Sequence, residues 1–230
     1  MGARVCLTYD GSTWNHLEVV VPSLVASGFR GTFYAEPIHL LERIPDWRQV
    51  AAAGHEVGNG CLIGSALPDG SLPAWGHATV REEVAETRLL LQEALGDRPH
   101  SFAMPLGADL CRDGAYLAVV QSLYSVVRVG QTGFNADPAS GVLMSLPMAG
   151  LSADQMREVV RGAIQTESAA VLVFGGVGTG RHAVDRRDHD DLLAFLAENA
   201  DLIEVTTVTE LVATEQARLR PRTVPSPTLE

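Results

Sequence analysis

The sequence predicts a single α/β barrel, and three observations carry that prediction. Short apolar runs rich in β-branched residues alternate with longer amphipathic runs, the order expected when parallel strands are covered by helices. About seven such strand–helix steps follow one another with no internal repeat. A chain of 230 residues, 46% hydrophobic and 20% charged, has the length of one barrel core.

The elements follow from local pattern. Residues 5–9 read as the first strand, and 17–27 as a helix with Leu17, Val20, Val21 and Leu24 on one stripe and Gly28 as its stop. Residues 31–35 form a second strand, 45–53 a helix ended by Gly54, and 56–57 a short third strand. Residues 80–95 give the clearest helix, with Val84, Thr87, Leu91 and Leu95 turned inward and Gly96 beyond its end. Strands at 101–104 and 125–129 flank a helix at 115–122. A helix at 152–166 opens on Ser152 as its cap. A buried strand at 171–174, a helix at 188–199, a strand at 203–206 and a helix at 208–216 complete the pattern. The barrel is expected to occupy residues 1–216, and 217–230, Pro-rich from Pro221, to form a disordered tail.

Charge excludes several partners. All 17 basic residues are arginine, against 28 acidic ones, for a formal charge of −11. Such a field repels phosphate backbones and anionic lipid heads, so neither nucleic acid nor a membrane surface is an expected partner. With no lysine there is no Schiff base, and therefore no ordinary anchor for pyridoxal phosphate. Cys6, Cys61 and Cys111 form neither a disulfide framework nor a C-x-x-C pair. Together with an N-terminus that lacks signal-peptide character, they suggest a reduced, cytoplasmic setting. A small-molecule substrate is the expected partner, and homo-oligomerisation is left open.

Four segments fall at the ends of the expected strands, where a barrel of this kind carries its site. Residues 8–12 read TYDGS and lead into HLEVVVPSLVASGFRGTFY. Residues 54–64 read GHEVGNGCLIG, 102–107 read FAMPLG, and 174–178 read FGGVG, followed by HDDLLAFLAENADLIEV. In order and spacing, over roughly residues 4–213, they resemble the polysaccharide deacetylases of carbohydrate esterase family 4. The corresponding family motifs are T-F/Y-D-D-G, G-H-E-I-G-N-H-x-x-x-H, F-x-x-P-x-G and F-H-G-V-G. The resemblance implies a single-domain, distorted (β/α)7-type barrel.

It also implies chemistry that this chain does not carry. The family binds a divalent metal through an aspartate and two histidines, and those positions are Gly11, Gly60 and Gly64. The histidine it uses as general acid falls on Gly175, and only its catalytic base is retained, as Asp10. Glycine offers no side-chain donor, so no metal centre of that kind and no other cofactor is expected. Four functional positions reduced to the same smallest residue suggest side chains cleared to admit a larger ligand.

The candidate site therefore has Asp10 as its acid or base and His182 as a second proton donor. Trp14, Tyr34, Asn59, Met104 and Phe174, beside the motif positions, are expected to line a pocket shaped by Gly11, Gly60, Gly64 and Gly175. Arg128, on an otherwise apolar strand, either pairs with an acid inside the barrel or holds an anionic group of the ligand. His55 and Glu56 read as parts of the fold. GGVGTGRH lacks the G-K-S/T ending of a phosphate loop. The leading expectation is a metal-independent enzyme that closes, isomerises or cyclises a small biosynthetic compound by acid/base chemistry. The alternatives are a non-catalytic small-molecule-binding protein and a hydrolase of cyclic amides or imides, or a residual deacetylase.

Overall fold

Strand β1 (Ala3–Asp10) is almost wholly buried, and the alternation of its side chains sets the architecture. Val5, Leu7 and Tyr9 join the core beneath the helices, whereas Cys6 joins a separate cluster inside the barrel. Successive side chains of a strand point to opposite faces, so one run of residues feeds both layers. The computed structural model describes residues 2–60, 72, 74–180 and 182–220.

A π-helical turn (His16–Val20) leads into α1 (Val21–Ala26), so the helix read at 17–27 is in fact two segments. Pro22 stands in the first turn of α1, where no N–H is needed. Then come β2 (Thr32–Ala35), α2 (Pro37–Leu40), α3 (Ile44–Ala52) and β3 (Glu56–Asn59). Helix α4 (His77–Leu95) turns Val80, Val84, Thr87 and Leu91 inward and ends on Gly96 at φ 83°. This left-handed position suits glycine. Strand β4 (Ser101–Ala103) is followed by a small hairpin of β5 (Leu110–Cys111) and β6 (Gly114–Ala115), then α5 (Leu117–Gln121) and β7 (Val126–Thr132).

Strand β8 (Val142–Pro147) was not anticipated. Its sequence, VLMSLP, places Ser145 and a terminal proline among its apolar residues and so lacks a clean strand period. Helix α6 (Ala153–Gln165) starts in a capping box between Ser152 and Gln155. It is followed by β9 (Ala169–Phe174), the short parallel pair β10 (Gly176–Val177) and β11 (Ala183–Val184), and α7 (Arg186–Glu198). Strand β12 (Ile203–Val205) and α8 (Val208–Leu219) end the fold. Helix α8 runs three residues past the expected boundary at 216, and the tail lies, from residue 221, outside the described residues.

The sheet order β1-β2-β3-β4-β7-β8-β9, closed by β9 on β1, makes a barrel of seven parallel strands. The distortion sits at β1. One of its edges pairs with β9 from Arg4 to Tyr9; the other pairs with β12 at Ala3–Val5 and with β2 only at Thr8–Asp10. The outer core packs Tyr9, Phe33, Leu172 and Phe174 against Leu24, Trp47, Met156, Val160 and Leu192. Inside the barrel, Cys6, Tyr34, Ala103, Val126 and Val171 meet Val208, Leu211 and Val212 of α8. The start of α8 is tied to the first residues of β2 and β3, because Val208 N–H donates to Thr32 Oγ1 and Thr209 N–H to Glu56. The helix thereby closes the N-terminal end and leaves the C-terminal ends of the strands as the mouth.

Candidate functional site

At the top of the barrel, Arg128 of β7 reaches across to Asp10 of β1. Its two terminal nitrogens donate to the two carboxylate oxygens at 2.8 and 2.6 Å, and Nη1 also donates to Thr8 Oγ1 at 3.0 Å. The guanidinium stands 4.6 Å over the Tyr34 ring. The Arg128 side chain is 6% exposed and that of Asp10 38%. Burial opposes the charge on Arg128, but the Asp10 carboxylate more than compensates and raises its pKa. Tyr34 is fully buried, and desolvation raises its phenol in spite of Arg128.

The fork explains the local sequence. Thr8, Asp10, Tyr34 and Arg128 all occupy interior positions, two residues apart on their strands, so the T-Y-D of β1 places a hydroxyl and a carboxylate in one column. Thr8 Oγ1 in turn donates a hydrogen bond to Leu172 O at 2.8 Å. Of the alternatives for Arg128, the structure shows pairing with an acid inside the barrel. Asp10 thus lies against a guanidinium.

Next to Asp10 the chain turns sharply, with Gly11 at φ 106° and Ser12 at φ 46°. Ser12 Oγ donates to Glu36 O and accepts from Glu36 N–H, joining the loops after β1 and β2. A Cβ at Gly11 would meet nothing closer than Thr13 at 3.5 Å. Glu36 stands near this opening, 3.8 Å from where a Cβ of Gly11 would lie. Desolvation raises the Glu36 carboxyl, His39 opposes the shift, and the nearby Asp10 adds to it. Trp14 is 61% exposed beside the same turn.

The remaining expected residues part company. Asn59, Met104 and Phe174 face away from the barrel interior. Asn59 donates to Tyr124 OH at 2.9 Å, Met104 packs in the cluster of Phe102 and Val127, and Phe174 stacks on Tyr9 at 5.2 Å. Each sits one residue out of phase with the interior column, and proximity in sequence to the motifs did not reveal that. His182 is exposed in the turn before β11, with φ 64°, and no hydrogen bond among the described residues joins it to Asp10. Gly64 and Cys61 lie outside the described residues.

Gly60 differs from Gly11 in the space around it. A Cβ there would stand 2.8 Å from the Tyr34 carbonyl carbon, oxygen and Cβ. An added side chain there would press on the backbone of Tyr34.

The sequence reading missed His16. It is fully buried, 5.9 Å from both the Tyr9 and Phe33 rings. Burial lowers its pKa to about 4, although Asp10 and the Gly175 backbone oppose that shift. Its spacing of four from Val20, on the apolar stripe, is the signal that places it inside. His55 packs as expected, its Nδ1 accepting from Gly31 N–H at 3.1 Å. At the far end of the barrel a cleft of about 360 Å³, lined by Arg30, His55, His100 and Glu210, is crossed by the Arg30–Glu210 ion pair.

The described residues do not fit a metal of the family's kind. Gly11 and Gly60 offer no donor, and among the described residues there is no group of three His, Cys, Asp or Glu able to hold an ion.

The sequence matches the polysaccharide deacetylase family over residues 2–123, and the chain belongs to that family. The fold is shared with solved structures at low identity. A family 4 acetyl xylan esterase from Clostridium thermocellum, in complex with cobalt, is 19% identical with a TM-score of 0.62, covering 92% of this chain and 91% of its own. PuuE allantoinase is 13% identical with a TM-score of 0.64, covering 96% and 92%. A mutant of BA3943, a CE4 family pseudoenzyme with restored enzymatic activity, is 13% identical with a TM-score of 0.54, covering 92% and 68%. Comparison with curated proteins gives no match. No helix among the described residues is long and apolar enough to cross a membrane.

Proposed function

We propose that this chain is a ligand-binding member of the family that does not hydrolyse what it binds. The observation that carries this reading is the fork between Arg128 and Asp10. Hydrolysis of an amide or ester needs an activated water and a donor for the leaving group. Both Asp10 oxygens are engaged by a buried cation, and no second titrating side chain among the described residues is hydrogen-bonded to them. A carboxylate held this way is a rigid acceptor for hydroxyl or amide N–H groups, and exposed Trp14 offers a face for the apolar side of a ring. The existence of a pseudoenzyme on the same fold supports the reading.

The test uses N-acetylchitotetraose as probe, with calorimetry for binding and acetate release for hydrolysis, with and without added zinc. Binding that weakens in Trp14→Ala, without acetate release, is the expected result. Acetate release above the blank sinks the proposal.

A second reading, acid/base conversion of a small biosynthetic compound, is favoured by the 38% exposure of Asp10 at the mouth. Under it, Asp10→Asn would bind a convertible compound within a few-fold of wild type yet lose turnover by about a hundredfold or more. Full turnover in that variant removes Asp10 from the chemistry.

A further inference from the structure

We infer that at positions 11 and 60 the backbone, and not only the missing side chains, excludes the family's metal ligands, so that returning the ligand side chains will not return the metal. Positions 11 and 60 fail for opposite physical reasons. Gly11 has room, since a Cβ would find its nearest neighbour at 3.5 Å, but its φ of 106° is one that residues with a Cβ rarely adopt. Gly60 lies outside that left-handed region but has no room. Its added Cβ would press on the Tyr34 carbonyl carbon, oxygen and Cβ, all at 2.8 Å.

Tyr34 cannot easily yield. Its carbonyl oxygen accepts the Gly11 N–H at 2.9 Å, and Gly60 N–H is bonded to the next carbonyl, Ala35 O, at 3.1 Å. Two successive carbonyls of β2 therefore fasten these two positions. The Tyr34 ring is wedged as well, because a Cβ at Gly58 would fall 2.8 Å from its Cε1, and Arg128 covers it at 4.6 Å. Moving β2 to admit a side chain at position 60 would disturb the Gly11 turn and the seat of the Asp10–Arg128 fork together.

The inference rests on backbone geometry rather than on the proposed binding function, so zinc uptake by a variant would overturn it without touching ligand binding by wild type. The experiment builds Gly11→Asp/Gly60→His/Gly64→His in the full chain and titrates it with zinc by calorimetry. In parallel, the melting temperatures of Gly60→Ala and Gly11→Ala are measured. The triple variant is expected to bind no stoichiometric zinc. Each alanine variant is expected to melt about 3–10 °C below wild type, through overpacking at 60 and backbone strain at 11. Stoichiometric zinc binding by the triple variant overturns the inference. So do alanine variants that melt with wild type, and that comparison decides the matter if the triple variant does not fold.

Discussion

Arg128 and Asp10 meet across the barrel in a two-pronged ion pair, with one partner nearly buried and the other open to the mouth. The asymmetry matters energetically. The guanidinium has been taken out of water and depends on Asp10, whereas Asp10 retains some solvent of its own.

The two single variants should therefore differ. Asp10→Ala leaves a buried cation without its partner and should cost about 3 kcal/mol, near the lower end for broken buried pairs because Asp10 is partly exposed. Arg128→Met keeps volume over Tyr34 and should cost less. In a double-mutant cycle read by urea denaturation, the coupling should be about 1–3 kcal/mol. Additive single effects would show that the fork contributes geometry only.

Stability should fall as the solution is acidified below neutrality. His16 and His189 are both buried with pKa values lowered to about 4, chiefly by desolvation, and His189 shares its Nε2 with Tyr9 OH at 2.9 Å. An unfolded histidine takes up its proton near pH 6.5. Between about pH 6.5 and 4 the unfolded state thus binds protons that the folded state refuses, and stability is lost as pH falls. At about pH 5 each histidine should have cost roughly 2 kcal/mol relative to pH 8. Urea midpoints across this range, compared with those of His16→Leu, provide the check. An unaltered slope in the variant would remove His16 as a cause.

Glu56 should matter for stability and not for the mouth. Its carboxylate accepts from Ser101 Oγ, Thr32 Oγ1, Thr209 Oγ1 and Thr209 N–H, which binds β2, β3, β4 and the start of α8 into one network. Glu56→Gln removes the charge and replaces one acceptor oxygen by a donor, for a loss of about 2 kcal/mol. Because the network closes the opposite end of the barrel, probe binding at Asp10 should stay within a few-fold of wild type. A tenfold loss of affinity would couple the two ends.

Ser152 offers a local test. Its hydroxyl accepts from Gln155 N–H while Gln155 Oε1 accepts from Ser152 N–H, and α6 covers the outer core through Met156 and Val160. Ser152→Ala should cost about 1 kcal/mol, with Ser152→Thr restoring most of it. Equal urea midpoints for all three proteins would show the cap to be idle.

Much of the barrel was legible because it rests on local pattern. Apolar stripes such as Val84, Thr87 and Leu91, the Gly96 stop and the Ser152 cap act within a turn or two of chain, where sequence neighbours are spatial neighbours. Strand β8 escaped because its pairing with β7 and β9, and not its own VLMSLP pattern, makes it a strand.

The sequence by itself determined the family and barrel, the absence of ligand side chains at Gly11 and Gly60, and the survival of Asp10. Only the tertiary structure decided what surrounds them. The interior phase of each strand separated Tyr34 and Arg128 from Asn59, Met104 and Phe174, since a shift of one residue sends a side chain to the other face. The spacing of 118 residues between Asp10 and Arg128 carries no hint of contact until β4 and β7 bring their strands into the ring. Whether a glycine leaves an opening or fills one likewise depends on the neighbouring strand. At Gly11 there is space, and at Gly60 the backbone of Tyr34 already occupies it.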